Sequence, residues 1–319
     1  MARAAQSKSE TYERQTTLGR SVTVSGVGVH SGAHVTMVIG PAAADQGIVF
    51  RHVGKARAVG EIRTEIGNIG ATELCTTLDG DGWSVATVEH LLAGLSGLGI
   101  DNALIDIDGE EVPVMDGSSA AFIAAIDEAG IVELDARRSY IKILRPIRVE
   151  VGQSYAELRS CEGRRLEIEL DYAHPIVGRQ SFSTDVTPEL FRKELASART
   201  FGFLGDVENL RARGLARGAS LDNALVIGAE SVINPEGLRF SDEFARHKAL
   251  DALGDLALAG LPVLGCYRSY RGGHSLNARV LEVLMATPEA WEIAEVSTQR
   301  LPRRRGRPGA PRKMAASAR

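Results

Sequence analysis

The sequence predicts an α+β protein built as two units of similar plan. Three observations carry that prediction. Short alternating apolar and polar runs dominate from Thr16 onward, the turns are rich in glycine (34 of 319 residues), and each half of the chain passes from strands to helices instead of interleaving them. No residue-level repeat accompanies the pattern, so the duplication is one of plan only.

The elements follow in order. Strands are predicted at Ser21–Val24, His34–Ile39 and Gly47–Arg51, separated by Gly, Pro and Asp turns. The segment Gly26–Gly32 (GVGVHSG) resembles a dinucleotide loop, but the spacing is wrong and a strand follows where a helix should open, so it reads as a hairpin turn. A first helix is expected from Thr87 as N-cap through TVEHLLAGLSG. After the strand NALIDID, a second runs from Ser118 to Glu128 and stops at Gly130, with Phe122, Ile123 and Ile126 on its buried face.

The polar run at residues 134–140 (LDARRSY) reads as a linker. Strands resume in IKILRPIRVEV, YAELRS and RLEIELDY. A short helix spans Pro188–Ala196, with Thr187 capping, and a long one spans Asp242–Ala259. The expected organisation is therefore a flexible N-terminus at 1–14, domain I at 15–136, domain II at 137–299 and a disordered basic tail at 300–319.

Composition narrows the function. An apolar share of 44% supports buried cores, and no apolar run approaches the roughly 20 residues of a spanning helix. The N-terminus lacks the apolar stretch of a secretory signal. Cys75, Cys161 and Cys266 are odd in number and unpaired in spacing, which favours reduced thiols in the cytoplasm and argues against a cysteine zinc site. The net charge of −4 hides an asymmetry: residues 300–319 hold eight Arg and Lys and no acid. That tail reads as a solvated segment able to make transient contact with a membrane surface. The acidic remainder offers no footprint for nucleic acid.

Two local signals point to chemistry. His247 and Asp251 stand at i and i+4 of the last long helix, about 5–6 Å apart at Cβ, so they can share one ion. The same spacing describes an ordinary surface His–Asp pair. Glu89 and His90 are neighbours in the first helix and point about 100° apart, so Glu89 stands beside an ion held by His90 and does not chelate it. A capping glutamate beside a core histidine would look the same. Together His90, His247 and Asp251 make a three-ligand set with one position open, the arrangement of catalytic zinc. His274, in Arg-Gly-Gly-His-Ser, reads as an acid–base group on a glycine-flanked loop.

Six motifs in order then give a specific resemblance: GVGVHSG (26–32), TVEHLLAGLSGLGIDN (87–102), PVMDGSS (113–119), ARTFGF (198–203), LRFSDEFARHKALDALGD (238–255) and GGHSLN (272–277). The chain resembles the zinc-dependent UDP-3-O-acyl-N-acetylglucosamine deacetylases of bacterial lipid A synthesis, from about Gln15 to Thr298. The resemblance implies two similar two-layer α/β sandwich domains with the active site in the cleft between them. It makes His90, His247 and Asp251 the zinc ligands, Glu89 the general base and His274 the general acid. Thr200 becomes the residue beside the oxyanion, and Asp255 the carboxylate that orients His274. Lys248 and Arg271 become charge partners of the diphosphate, and Phe201 packs on the glucosamine portion. An acyl-chain insertion falls at about 203–225, beginning at Phe203, where Leu204, Val207 and Leu210 could form one apolar face. Cys75 falls near the site without being a ligand.

The expected reaction is removal of an N-acetyl group, by a monomer, with Zn²⁺ as cofactor; the donor set suits Fe²⁺ as well. A metallopeptidase is disfavoured because HExxH is absent. A non-catalytic zinc protein that binds a nucleotide sugar or lipid remains as the alternative.

Overall fold

In the computed structural model the described residues are 12–54, 58–80 and 82–297. The basic tail and residues 1–11 of the N-terminal segment lie outside them. Tyr12 bridges to Ser297, and the Glu13 amide donates to the Val296 carbonyl at 3.0 Å.

The first half is built on a five-stranded sheet. Its strands are β2 (Val22–Val27), β3 (His34–Pro41), β4 (Ile48–Val53), β5 (Ala58–Arg63) and β8 (Ala103–Ile107), in spatial order β2-β3-β8-β4-β5, and β1 (Arg14–Leu18) precedes them. Along β3, Val35, Met37 and Ile39 are buried while His34 and Thr36 are exposed, the period-2 pattern of a half-buried strand. The turn between β2 and β3 is the expected hairpin, with Val27 opposite His34 and Gly32 at φ 69°. A small ribbon, β6 (Leu78–Gly80) with β7 (Trp83–Val85), leads into α1 (Glu89–Leu98), and α2 (Ala120–Ala129) packs against α1 and β2.

The second half holds a seven-stranded sheet. It comprises β10 (Ser139–Ile143), β11 (Ile147–Val151), β12 (Ser154–Arg159), β13 (Arg164–Asp171), β14 (Arg179–Asp185), β17 (Val263–Tyr270) and β18 (Trp291–Glu295). β17 lies between β12 and β13. Between β14 and β17 run α3 (Pro188–Leu190), whose N-cap Thr187 accepts from the Leu190 amide, then β15 (Phe201–Phe203), α4 (Val207–Ala212), β16 (Leu225–Ile227) and α5 (Glu243–Leu256). The last helix is α6 (His274–Met285). α5 packs on β13 and β14, and α6 on β11 and β12. The architecture is α+β, as expected, with helices on each sheet.

The two helix layers meet where α1 packs against α5. Gly254 makes that approach close: a Cβ there would stand 2.0 Å from the Glu89 carbonyl oxygen. Almost all of α5 is buried, including His247, Asp251 and Asp255, which lie along one ridge at i, i+4 and i+8. Buried charges on a helix need partners, and the facing α1 and α6 supply them.

Three local expectations change. Residues 134–140 are not a linker but the end of β9 (Ile131–Arg137) and the start of β10. Among the described residues β9 pairs with β1 alone and stays largely exposed; its alternation (Val132, Leu134 and Ala136 against Glu133, Asp135 and Arg137) is there in the sequence, masked by the charged residues around it. Thr87 does not cap α1: it sits at φ 58° and its hydroxyl donates to Glu111 Oε1 at 3.1 Å, while Val88 takes the cap position. His274 opens α6 and is buried, because the glycines before it are the entry to a helix and Gly273 is its N-cap.

Candidate active site

Every site residue expected from sequence except Asp255 lines a single cleft of about 670 Å³. Asp255 lies directly behind, bonded to His274. The cleft draws on α1, the β15 region, α5 and the start of α6, elements from both halves of the chain.

His90, His247 and Asp251 each offer a ligand atom, all within 4.8 Å of one another, and all three are at most 4% exposed. Asp251 Oδ1 faces His247 Nε2 at 3.2 Å and His90 Nε2 at 3.5 Å. Two neighbours fix the frame: His247 Nδ1 donates to the Ala198 carbonyl at 3.0 Å, and the Ser119 hydroxyl donates to the His90 carbonyl at 2.6 Å. With its proton on Nδ1, His247 presents a lone pair at Nε2. Burial pushes the His247 imidazole down to about 3, against the pull of Asp251. Burial works against ionisation of Asp251, yet His247 and Lys248 hold its carboxyl well below the usual range.

The Asp251 Oδ1 atom is buried and has no hydrogen-bond partner. An anionic oxygen left bare between two imidazole nitrogens is a place for a cation. The residues present therefore fit a divalent metal. Cys75 lies at the cleft wall, outside the three converging donors, and burial pushes its thiol up to about 12.

Glu89 lines the same cleft but is not one of the three converging donors. Its Oε2 accepts from the Thr76 amide at 3.1 Å, and its Oε1 lies 3.9 Å from His274 Nε2. Burial is the main cause that raises the Glu89 carboxyl. Burial lowers the His274 imidazole, but Asp255 and Glu89 overcome it and push the group up to about 9. Asp255 accepts from His274 Nδ1 at 2.8 Å, which turns Nε2 toward the cleft.

The remaining residues divide. Thr200 and Phe201 line the cleft, with the Thr200 amide anchored on the Gly117 carbonyl at 2.8 Å. The Lys248 ammonium is bonded to Asp251 Oδ2 at 2.9 Å and lies 5.6 Å from the Phe201 ring centroid. Arg271 is more exposed and pairs with Asp171 at 3.1 Å. In the 203–225 segment, Phe203 and Leu210 face the cleft. Leu204 is 52% exposed, since residues 204–206 form a 3₁₀ turn ahead of α4 and break the i, i+3, i+6 face.

Sequence reasoning missed His30, Tyr172 and the residues that hold Asp255. His30 lines the cleft from the β2–β3 turn, where Glu111 accepts from the His30 and Ser31 amides at 2.8 Å each. Its one signal was a histidine inside a glycine-rich turn. Four non-glycine residues of the cleft, Leu74, Thr87, Ala216 and Arg271, have φ between 49° and 66°. Each costs about 1–2 kcal/mol in backbone strain, a cost that concentrates at working sites.

Two imidazoles and a carboxylate converging on one buried point, beside a second carboxylate and an oriented imidazole, define a metal-assisted hydrolase. Residues 15–286 match the family described as LpxC, UDP-3-O-acyl N-acetylglycosamine deacetylase. Proteins named UDP-3-O-acyl-N-acetylglucosamine deacetylase from Brucella ovis, Brucella abortus (strain 2308) and Brucella melitensis biotype 2 are each 53% identical over 282 residues, covering 88% of this chain and 98% of each relative. The chain belongs to the UDP-3-O-acyl-N-acetylglucosamine deacetylase family and is an amide hydrolase. Among the described residues, no helix is long and apolar enough to cross a membrane.

Proposed function

We propose that this chain hydrolyses the N-acetyl group of UDP-3-O-acyl-N-acetylglucosamine, releasing acetate and the free glucosamine amine, as a cytoplasmic step of lipid A synthesis. The observation that carries the reading is the convergence of His90, His247 and Asp251 to within 4.8 Å, with Glu89 and His274 beside them. In this reading the three donors hold Zn²⁺, or Fe²⁺ by the same ligand chemistry. The metal, when bound, supplies Lewis acidity toward the amide carbonyl and lowers the pKa of water.

The protein's own groups do the rest. Glu89 takes a proton from the attacking water; its carboxylate is kept off the donor cluster and held by the Thr76 amide. A positioned base or acid is worth about 10²–10⁴-fold. The Thr200 hydroxyl donates toward the oxyanion that forms as the amide carbon becomes tetrahedral. The amine departs with a proton from His274 Nε2, which Asp255 aims into the cleft. Arg271, on the more exposed side, is the better placed partner for the diphosphate. Lys248 is committed to Asp251 and steadies that carboxylate first. Phe201 receives the sugar, and Phe203 with Leu210 begins the passage for the acyl chain.

In domain terms, 15–136 carries Glu89 and His90, and 137–299 carries His247, Asp251 and His274, so catalysis needs both. Acetate release from the named substrate by the purified chain, measured with and without metal, tests the proposal.

A further inference from the structure

Asp255 carries more partners than an orienting carboxylate requires. It is 1% exposed and receives three donors from two parts of the chain, α6 and the segment before α1. His274 Nδ1 and Asn277 Nδ2 reach Oδ2 at 2.8 and 2.7 Å, and the Thr76 hydroxyl reaches Oδ1 at 2.6 Å. Asn277 lies three residues after His274 on α6, so both side chains face α5 together.

The network extends one layer further. The Tyr267 hydroxyl on β17 donates to Asn277 Oδ1, and the Ser269 hydroxyl bonds Tyr267 in turn. Tyr267 is 1% exposed. A side-chain amide presents a donor on one side and an acceptor on the other. If Asn277 flipped, its oxygen would meet the Asp255 carboxylate and two acceptors would clash. The phenol prevents this by claiming the amide oxygen. Gly272 keeps the space open, since a Cβ there would stand 2.7 Å from Ser269 Oγ. A hydrophobe of similar shape would fill the core without any of these bonds, and a buried hydroxyl without a partner costs about 1–3 kcal/mol.

We propose that Tyr267 and Asn277 are positioning residues for the deacetylation: the phenol locks the amide, the amide locks Asp255, and Asp255 fixes the direction of His274 Nε2. The proposal rests on the reading of His274 as the proton donor to the leaving amine. Neither residue lines the cleft, so the effect runs through Asp255.

A double-mutant cycle in the metal-loaded, full-length enzyme tests it, with Tyr267→Phe, Asp255→Ala and their combination. Tyr267→Phe is expected to lower kcat about 10-fold, the scale of lost outer-shell contacts, with KM and metal content unchanged. In the Asp255→Ala background it should cause no further loss. An equal loss in both backgrounds, or none in the wild type, overturns the proposal. An Asp255→Ala enzyme with undiminished kcat would instead remove the reading of His274 on which it stands. If Tyr267→Phe does not fold, Asn277→Ala carries the same comparison, with the same non-additivity expected. As a readout free of turnover, the low-field proton resonance of the His274 Nδ1–H bond should shift in metal-free Tyr267→Phe; an unshifted resonance counts against the proposal.

Discussion

His247 Nε2 lies 3.2 Å from Asp251 Oδ1 within one turn of α5, and Asp255 follows one turn later, bonded to His274. One helix ridge thus supplies two of the three donors and the carboxylate that holds His274. α1 and α6 bring the others to it.

Metal content and turnover should separate. His247→Ala and Asp251→Ala are expected to lose the metal and activity together. Glu89→Gln should keep the metal, measured by atomic absorption, while kcat falls about 10²–10⁴-fold. Equal metal loss in Glu89→Gln would mean that Glu89 is a ligand and not the base.

The pH profile should report His274. Pushed up to about 9 from 6.5, the imidazole stays protonated as pH rises past neutrality and loses its proton through about 9. Activity that needs the proton therefore falls on that alkaline limb, and His274→Ala should abolish the limb along with most of kcat. The sign for stability is the same: the contribution of the charged ring is complete below about pH 6.5 and lost through about 9. Thermal melts of metal-free wild type and His274→Ala should converge above that range; a gap independent of pH would refute the coupling.

The helix contact should resist enlargement. In Gly254→Ala the new methyl must displace the Glu89 carbonyl 2.0 Å away, so α1 and α5 separate. Overpacking of this kind costs about 1–3 kcal/mol, visible as a lower denaturation midpoint, and activity should fall because Glu89 and His90 ride on α1. A midpoint equal to wild type would show that the seam has slack.

Thr200 distinguishes hydroxyl from shape. Thr200→Val should lower kcat by up to about 10²–10³-fold with little change in KM, and Thr200→Ser should recover most of it. Equal kcat in the valine and serine variants would exclude the hydroxyl from charge stabilisation.

Much of this was legible in the sequence because it is local. The i, i+4 spacing of His247 and Asp251, and the divergence of Glu89 from His90, follow from helix geometry alone. The strand pattern of β3 and β13 shows in their alternating apolar residues. What stayed hidden depends on distant partners. β9 is mostly exposed and dense in charge, so its short alternation of Val132, Leu134 and Ala136 looked like a linker. His274 looked like a loop residue because a Gly-Gly pair also serves as a helix entry. The bonds from Thr76 and Asn277 to Asp255 span 179 and 22 residues, and no spacing rule encodes them. The left-handed conformations of Thr87 and Arg271 are likewise imposed by packing and not by residue type.

The central claim is that three buried donors hold the metal that this chain needs for amide hydrolysis. Acetate release from UDP-3-O-acyl-N-acetylglucosamine, followed as purified, after chelation and after Zn²⁺ is restored, addresses it most directly. The account predicts release that vanishes on chelation and returns with the metal in wild type but not in Asp251→Ala. A folded, zinc-loaded protein that binds the substrate and releases no acetate would contradict it and leave a binding protein in its place.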